Sequence, residues 1–247
     1  MKILVVGAFA LACASETPKS GETQNGAEAL SADGQTLAAR SDAPQTTTVE
    51  APAKVTVLFF GTSLTAGLGL DPGDAFPNMV ARTAAASSLP ITAINAGLSG
   101  ETSAGALRRI EWTLGRGPPV DIIVLETGGN DALRALDADS LAANLSGIVS
   151  RIRKAQPSAR IILAVMEAPP NLGARYTSRF REAYAEVARR EKLTLLPFLL
   201  DGVAGRADLN QADGVHPNMQ GERIVAENVW RALRPVVEEV YAIRSRG

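Results

Sequence analysis

The 247-residue chain contains one cysteine, Cys13, and one histidine, His216. A single cysteine cannot form a disulfide within the chain, and this pair cannot supply a cysteine-based or multi-histidine zinc site. Nothing in the remaining sequence points to a cofactor, and we expect neither a cofactor nor a metal. Any imidazole chemistry in this protein must therefore use His216.

The chain also lacks an excess of either charge. It has 25 basic and 26 acidic residues, a net charge of −1, and no block of Lys and Arg, so we expect no nucleic-acid partner. Aromatic residues make up only 4%, which argues against an aromatic-lined sugar cleft. With 46% hydrophobic residues, the chain is long enough to build a substantial core as one domain.

The N-terminus has the features of a bacterial export signal. Lys2 precedes a ten-residue apolar run over residues 3–12, which is too short to span a bilayer. Residues 10–13 (ALAC) resemble a lipobox, in which the cysteine is lipidated and becomes the new N-terminus. We predict that residues 1–13 are a signal peptide with a lipobox-like end; cleavage after Ala14 and a buried first strand are the alternatives.

Residues 14–53 have the composition of a flexible linker. They contain no aromatic residue and are rich in Ser, Thr, Gln, Ala and Gly, so they cannot bury enough surface to offset chain entropy. A tether behind Cys13 suits a catalytic domain, residues 54–247, that hangs from a membrane. We therefore expect an exported protein, anchored as a membrane lipoprotein through Cys13, or otherwise periplasmic or secreted.

Short apolar runs alternate with helical patterns from residue 54 onward. Five runs that are not alternating in polarity predict strands covered on both faces, at residues 55–60, 91–95, 121–125, 160–165 and 193–196. Helices are predicted near residues 75–88, 102–115, 139–155, 175–190 and 218–240, and Pro235 is expected to bend the last helix or end it early. This alternation predicts an α/β fold with a five-stranded parallel sheet and helices on both sides.

The topology gathers the chemically interesting residues at one edge of that sheet. Ser63 follows the first strand, Gly97 the second and Asn130 the third, while Asp213 and His216 lie in the loop before the last helix. In parallel sheets, ligands bind at the carboxyl ends of the strands. We therefore expect one cleft that contains all five residues.

These residue types suit acyl transfer. A serine hydroxyl becomes a good nucleophile when a base removes its proton, so we predict Ser63 as nucleophile and His216 as base. Asp213 can fold back across Gly214 to orient the imidazole. Asn130, Gly97 and the Ser63 backbone N–H are the predicted oxyanion donors. Taken singly, these residues could instead be ordinary turn and helix-cap residues.

Four segments resemble the SGNH (GDSL-type) hydrolases, and within them the bacterial arylesterase, acyl-thioesterase I and lysophospholipase group. The segments are residues 60–67 (FGTSLTAG), 94–103 (INAGLSGETS), 125–131 (LETGGND) and 213–218 (DGVHPN). The resemblance implies a flavodoxin-like three-layer α/β/α sandwich. It also implies the roles given above for the serine, glycine, asparagine, aspartate and histidine.

One position departs from the family pattern, which usually has aspartate just before the serine. Here that position is Thr62. Threonine can hydrogen-bond in the loop but carries no charge, so we expect a changed serine-loop environment without loss of activity. The resemblance further implies that residues 166–173 form a mobile loop beside the acyl pocket; an ordinary strand–helix connection is the alternative.

The predicted function is a serine esterase that hydrolyses short- to medium-chain carboxylic esters through an acyl-Ser63 intermediate. Aryl esters and lysophospholipids are the expected small-molecule substrates, with acyl thioesters as a further class. A carbohydrate (acetyl) esterase acting on acetylated polysaccharide is the second hypothesis. The third is a non-catalytic lipid-binding lipoprotein.

Overall fold

A computed structural model describes residues 54–246 of the chain. The predicted signal peptide, Cys13 and the linker over residues 14–53 lie outside the described residues. The strands of the described part are β1 (Val55–Gly61), β2 (Ile91–Gly97), β3 (Ile122–Leu125), β4 (Arg160–Ala164) and β5 (Thr194–Leu196). The helices are α1 (Ser63–Ala66), α2 (Phe76–Ala86), α3 (Ser103–Arg116), α4 (Gly129–Leu133), α5 (Ala138–Ala155), α6 (Ala174–Glu191) and α7 (Met219–Arg244).

The five strands form one sheet in the order β2-β1-β3-β4-β5, and every pairing is parallel. This is the flavodoxin-like strand order, so the predicted fold class is confirmed. The register pairs Gly61 with Gly97 and Phe60 with Leu125. The first three strands therefore end at the same level, and the loops that follow them open on one edge.

The core lies on both faces of the central strands. All four residues of β3 are buried, as are six of the seven residues of β1, which explains their continuous apolar sequences. Helices α3, α5 and α6 pack side by side in one layer, and α2 packs on α7 in the other. Each layer buries apolar side chains against the sheet.

The structure departs from the sequence prediction in two places. Helix α7 continues through Pro235 to Arg244; of the two predicted effects of proline, a bend or an early end, the early end is therefore wrong. The next two residues, Val236 and Val237, are buried, and their packing holds the helix past the missing N–H. The short helices α1 and α4 were not predicted. Within residues 54–246, no helix combines the length and apolarity needed to cross a bilayer.

Candidate active site

The serine lies in a tight turn between β1 and α1. Thr62 is the residue before α1, Ser63 is its first residue, and Gly67 ends it with φ of 69°. A side chain at Gly67 would meet both this left-handed conformation and the Ala75 Cβ, 2.6 Å from its own Cβ. Because α1 has one turn, its first N–H groups have no intrahelical acceptor. The Ser63 N–H therefore has no intrahelical acceptor, and it lies beside its own hydroxyl at a helix start where Ser63 is 8% exposed.

The aspartate and histidine share a loop that leads into α7. Asp213 Oδ1 accepts hydrogen bonds from the N–H groups of Val215, at 2.9 Å, and His216, at 3.0 Å. Gly214 has φ of 68°, which allows the chain to turn back this sharply. Asn218 then caps α7 by accepting from the first N–H groups of the helix. The loop is thus held at both ends.

Three side chains from the two loops form one hydrogen-bonded chain. His216 Nδ1 lies 2.6 Å from Asp213 Oδ2, and His216 Nε2 lies 2.8 Å from Ser63 Oγ. The N–H and side-chain hydrogen bonds from His216, followed by the Val215 N–H, lower the pKa of Asp213 to about 2. An ionised carboxylate only accepts, so Nδ1 carries a proton; in the neutral imidazole Nε2 then presents its lone pair to Ser63 Oγ–H.

A buried carboxylate supports the serine turn from beneath. Glu126 follows β3 and is 1% exposed. It accepts from the Thr62 N–H at 2.7 Å, from Thr62 Oγ1 at 2.9 Å and from Thr65 Oγ1 at 3.0 Å. Burial raises the pKa of Glu126, and the bonds from Thr62 and Thr65 oppose that rise. The hydroxyl of Thr62 therefore faces an acid in the core.

The two predicted oxyanion residues differ in their environment. Asn130, in α4, lines the cavity beside Ser63 and uses one Nδ2 hydrogen on the Glu101 carbonyl oxygen, 3.0 Å away. Gly97 ends β2, and its N–H donates to Asn95 Oδ1 at 2.9 Å. A Cβ on Gly97 would lie 2.3 Å from the Ala66 nitrogen, so glycine is needed for close packing of β2 against α1.

Ser63, Asn130 and His216 border a cavity of about 310 Å³. This volume is at the small end of the usual range for ligand pockets. Its other side chains are mostly apolar, namely Leu64, Leu68, Leu133, Met166, Pro169, Leu200 and Val215. Met166, Glu167 and Pro169 belong to the predicted acyl-pocket loop, which therefore borders the cavity. Within residues 54–246, no group of three His, Cys, Asp or Glu side chains is arranged to hold a metal ion.

The fold and this geometry define a class: an α/β/α enzyme with a serine–histidine–aspartate site at the carboxyl edge of a parallel sheet. Residues 59–224 match the GDSL-like lipase/acylhydrolase family. The chain belongs to this family, and the resemblance seen in the four sequence segments is confirmed. The chain is accordingly a carboxylic-ester hydrolase.

Curated relatives support the same assignment. The chain is 37% identical over 185 residues to the esterase TesA of Pseudomonas aeruginosa, which covers 75% of this chain and 90% of that protein. It is 30% identical over 190 residues to the thioesterase 1/protease 1/lysophospholipase L1 of Escherichia coli, covering 77% and 88%. Both alignments span nearly the whole length of the relative.

Solved structures agree with the sequence relatives. The crystal structure of TesA has a TM-score of 0.69 at 36% identity and covers 73% of this chain and 99% of that chain. The SGNH-hydrolase family esterase AlinE4 has a TM-score of 0.63 at 37% identity, with coverage of 76% and 97%. The similarity therefore extends to the SGNH esterases.

Sequence reasoning missed the residues that support the site from behind. Glu126 stands in the asparagine segment and Glu101 in the glycine segment, but neither was predicted as a supporting residue. Arg109, which contacts Glu101, lies between the two segments. A carboxylate directly after a four-residue apolar strand was the available signal, because a buried acid needs partners. Nothing in the sequence indicated that its partners are Thr62 and Thr65.

Proposed function

We propose that the protein is a serine esterase that cleaves short- to medium-chain acyl esters through an acyl-Ser63 intermediate. The observation that carries this proposal is the hydrogen-bonded chain from Asp213 through His216 to Ser63 Oγ, with distances of 2.6 and 2.8 Å. Two of these three side chains, Ser63 and His216, line an apolar cavity. In this arrangement the imidazole can accept the serine proton as the hydroxyl attacks.

In the proposed first step, Ser63 Oγ attacks the ester carbonyl and His216 Nε2 takes its proton. The imidazolium that forms is stabilised by Asp213 and then donates its proton to the leaving alcohol. Water, activated by the same nitrogen, attacks the acyl-enzyme and releases the acid. The proton returns to Ser63 Oγ, so the enzyme is regenerated without any other reactant.

The developing oxyanion is proposed to accept from the Ser63 N–H, the second Nδ2 hydrogen of Asn130 and the Gly97 N–H. Ser63 in α1 and Asn130 in α4 both line the cavity. The Gly97 N–H donates to Asn95 Oδ1 in the free enzyme. To act as an oxyanion donor, this N–H would share its hydrogen between Asn95 Oδ1 and the substrate oxygen, or its bond to Asn95 Oδ1 would break.

The apolar lining supports acyl chains as substrates, and it favours them over acetylated polysaccharide, which would need polar partners. Relatives of this chain carry the names esterase, arylesterase and thioesterase/lysophospholipase. We propose aryl esters and lysophospholipids as the main substrates, with acyl thioesters as a secondary class.

Hydrolysis of p-nitrophenyl esters of increasing acyl length tests this proposal. We expect turnover by the wild type, a maximum at short to medium chains, and no turnover by Ser63→Ala. A fluorophosphonate should label the wild type and fail to label Ser63→Ala. Turnover that survives Ser63→Ala would reject the mechanism. Turnover confined to acetylated glycans would favour the carbohydrate esterase.

We further propose that the chain is exported and anchored through lipidated Cys13. The support is the sequence alone: a basic residue, a ten-residue apolar run and the ALAC segment at residues 10–13. Mass spectrometry of the mature N-terminus tests this proposal. A diacylated cysteine is expected, whereas an unmodified N-terminus at residue 15 would indicate simple secretion.

A further inference from the structure

One arginine lies behind the site. It is hydrogen-bonded directly to two of the three chain segments that carry the proposed oxyanion donors, and it is linked to the third through Glu101. Arg109 is in α3, and its side chain is only 17% exposed. Its Nη2 donates to the Gly61 carbonyl oxygen at 3.3 Å, and its Nη1 donates to the Ala96 carbonyl oxygen at 3.1 Å. Gly61 ends β1 two residues before Ser63, while Ala96 directly precedes Gly97.

The third segment, which carries Asn130, is linked to Arg109 through Glu101. Its carboxylate accepts from Arg109 Nε at 2.9 Å and from Nη2 at 2.7 Å. The backbone carbonyl of Glu101 is the acceptor that holds Asn130 Nδ2, at 3.0 Å. The orientation of the asparagine amide thus depends on a residue that Arg109 fixes in place.

The guanidinium has no spare hydrogen. Its remaining Nη1 hydrogen faces Thr113 Oγ1 at 3.4 Å, so each of the five N–H groups has an acceptor. The guanidinium also lies over the Phe60 ring, 4.1 Å from the ring centre. The carboxylate of Glu101, whose side chain is 8% exposed, balances the charge of the guanidinium. The pair is therefore expected to act on the site through its hydrogen bonds more than through a net charge.

We infer that Arg109 is a positioning residue that sets the geometry of the oxyanion hole. It does not touch the reacting atoms. It holds the ends of β1 and β2 at a fixed separation, and through Glu101 it holds Asn130. Donors misplaced by about 1 Å can lower a rate by about 100-fold, so this connector should affect the transition state more than substrate binding. The inference rests on the proposed acyl-Ser63 mechanism.

Steady-state kinetics with p-nitrophenyl butyrate test the inference. Arg109→Met should lower kcat by about 10- to 100-fold while KM changes less than about threefold. Arg108→Met is the matched control, because Arg108 is the exposed neighbour on the same helix. We expect wild-type kcat for this control. An Arg109→Met enzyme that is folded and has wild-type kcat would overturn the inference.

A double variant separates positioning from general weakening of the fold. If Arg109 acts through Asn130, then Asn130→Ala should cost a smaller factor in the Arg109→Met enzyme than in the wild type. Losses that simply multiply would reject the inferred link from Arg109 through Glu101 to Asn130.

If Arg109→Met does not fold, the kcat of Arg109→Lys tests the inference instead. One ammonium cannot bridge the same acceptors, so kcat should still fall by about tenfold. A wild-type kcat for Arg109→Lys would overturn the inference. Ester turnover by the wild type and its loss in Ser63→Ala test the acyl-Ser63 mechanism by themselves. A failure of that mechanism can therefore be told apart from a failure of the inference about Arg109.

Discussion

At the residue scale, Thr62 shows how a neutral side chain can occupy a position where the family usually has an acid. Its hydroxyl and its N–H both donate to buried Glu126, whose pKa is raised by burial. An aspartate at this position would bring a second carboxylate within hydrogen-bond distance of Glu126, and the two could not both ionise without strong repulsion. Threonine instead stabilises the ionised form of Glu126.

Thr62→Val should therefore destabilise the serine turn. The substitution keeps the branched shape and the backbone N–H but removes the hydroxyl donor, so it leaves Glu126 less satisfied. We expect the free energy of unfolding to fall by about 1–3 kcal/mol, the range for a buried polar group that loses its hydrogen-bond partner. Urea denaturation measures this change. Thr62→Ser keeps the hydroxyl and should remain near the wild type; equal losses in both variants would mean that the hydroxyl bond contributes nothing.

Asn130 is the proposed side-chain donor to the oxyanion, and its removal should affect the transition state most directly. Asn130→Ala should lower kcat by about 100- to 1,000-fold with little change in KM, because the lost hydrogen bond strengthens only as the oxyanion forms. The measurement is the kinetics of p-nitrophenyl ester hydrolysis. A rise in KM at constant kcat would place Asn130 in substrate binding instead.

At the scale of elements, the site depends on the close approach of β2 to α1. Gly97→Ala would place a Cβ 2.3 Å from the Ala66 nitrogen and 2.8 Å from the Thr62 carbonyl oxygen, and both contacts are backbone. The strand end must then move away from the serine turn. We expect a loss of about 1–3 kcal/mol in stability and at least a tenfold fall in kcat.

Gly73→Ala is the matched control for this prediction. No atom lies within 4 Å of a Cβ built on Gly73, so a wild-type melting temperature and kcat are expected. Normal activity in Gly97→Ala, measured beside this control, would show that the two elements have room to relax.

The longer elements could be predicted because their apolar periods are strong, whereas α1 and α4 could not. Each has five residues or fewer, too few for a helical period to be recognised. The grouping of Ser63, Asp213 and His216 could be predicted because their segments are locally unusual and the topology brings them to one sheet edge. The supporting contacts of Arg109 and Glu126 join residues 48 and 64 positions apart, and such pairings depend on strand order and register.

At the scale of the whole molecule, one buried acid couples the stability of the fold to pH. Glu222, near the start of α7, is 1% exposed, and its Oε2 accepts from the N–H of Phe76, the first residue of α2, at 2.8 Å. Burial raises the pKa of Glu222 from an ordinary value of 4.5 to about 8. The carboxyl group therefore stays protonated in the folded protein across the neutral range.

The sign of the effect follows from proton binding. Below about pH 4.5 both the folded and unfolded chains hold the proton, and the contribution to stability is fully present. Between that pH and about 8 the unfolded chain loses its proton while the folded chain keeps it, and the contribution is lost as pH rises through this window. Each unit of difference corresponds to about 1.4 kcal/mol, so the total amounts to a few kcal/mol.

Glu222→Gln should remove this dependence, because the amide is neutral at every pH and its oxygen can still accept from the Phe76 N–H. We expect the variant to match the wild type near pH 4.5 and to exceed its free energy of unfolding by a few kcal/mol at pH 8. Urea denaturation of both proteins at half-unit steps of pH measures the difference. Glu227→Gln, at an exposed site on the same helix, should track the wild type throughout. If the free energy of unfolding changes with pH in parallel for the wild type and Glu222→Gln, then Glu222 titrates alike in the folded and unfolded chains. In that case this residue gives the packing of α2 on α7 no sensitivity to pH.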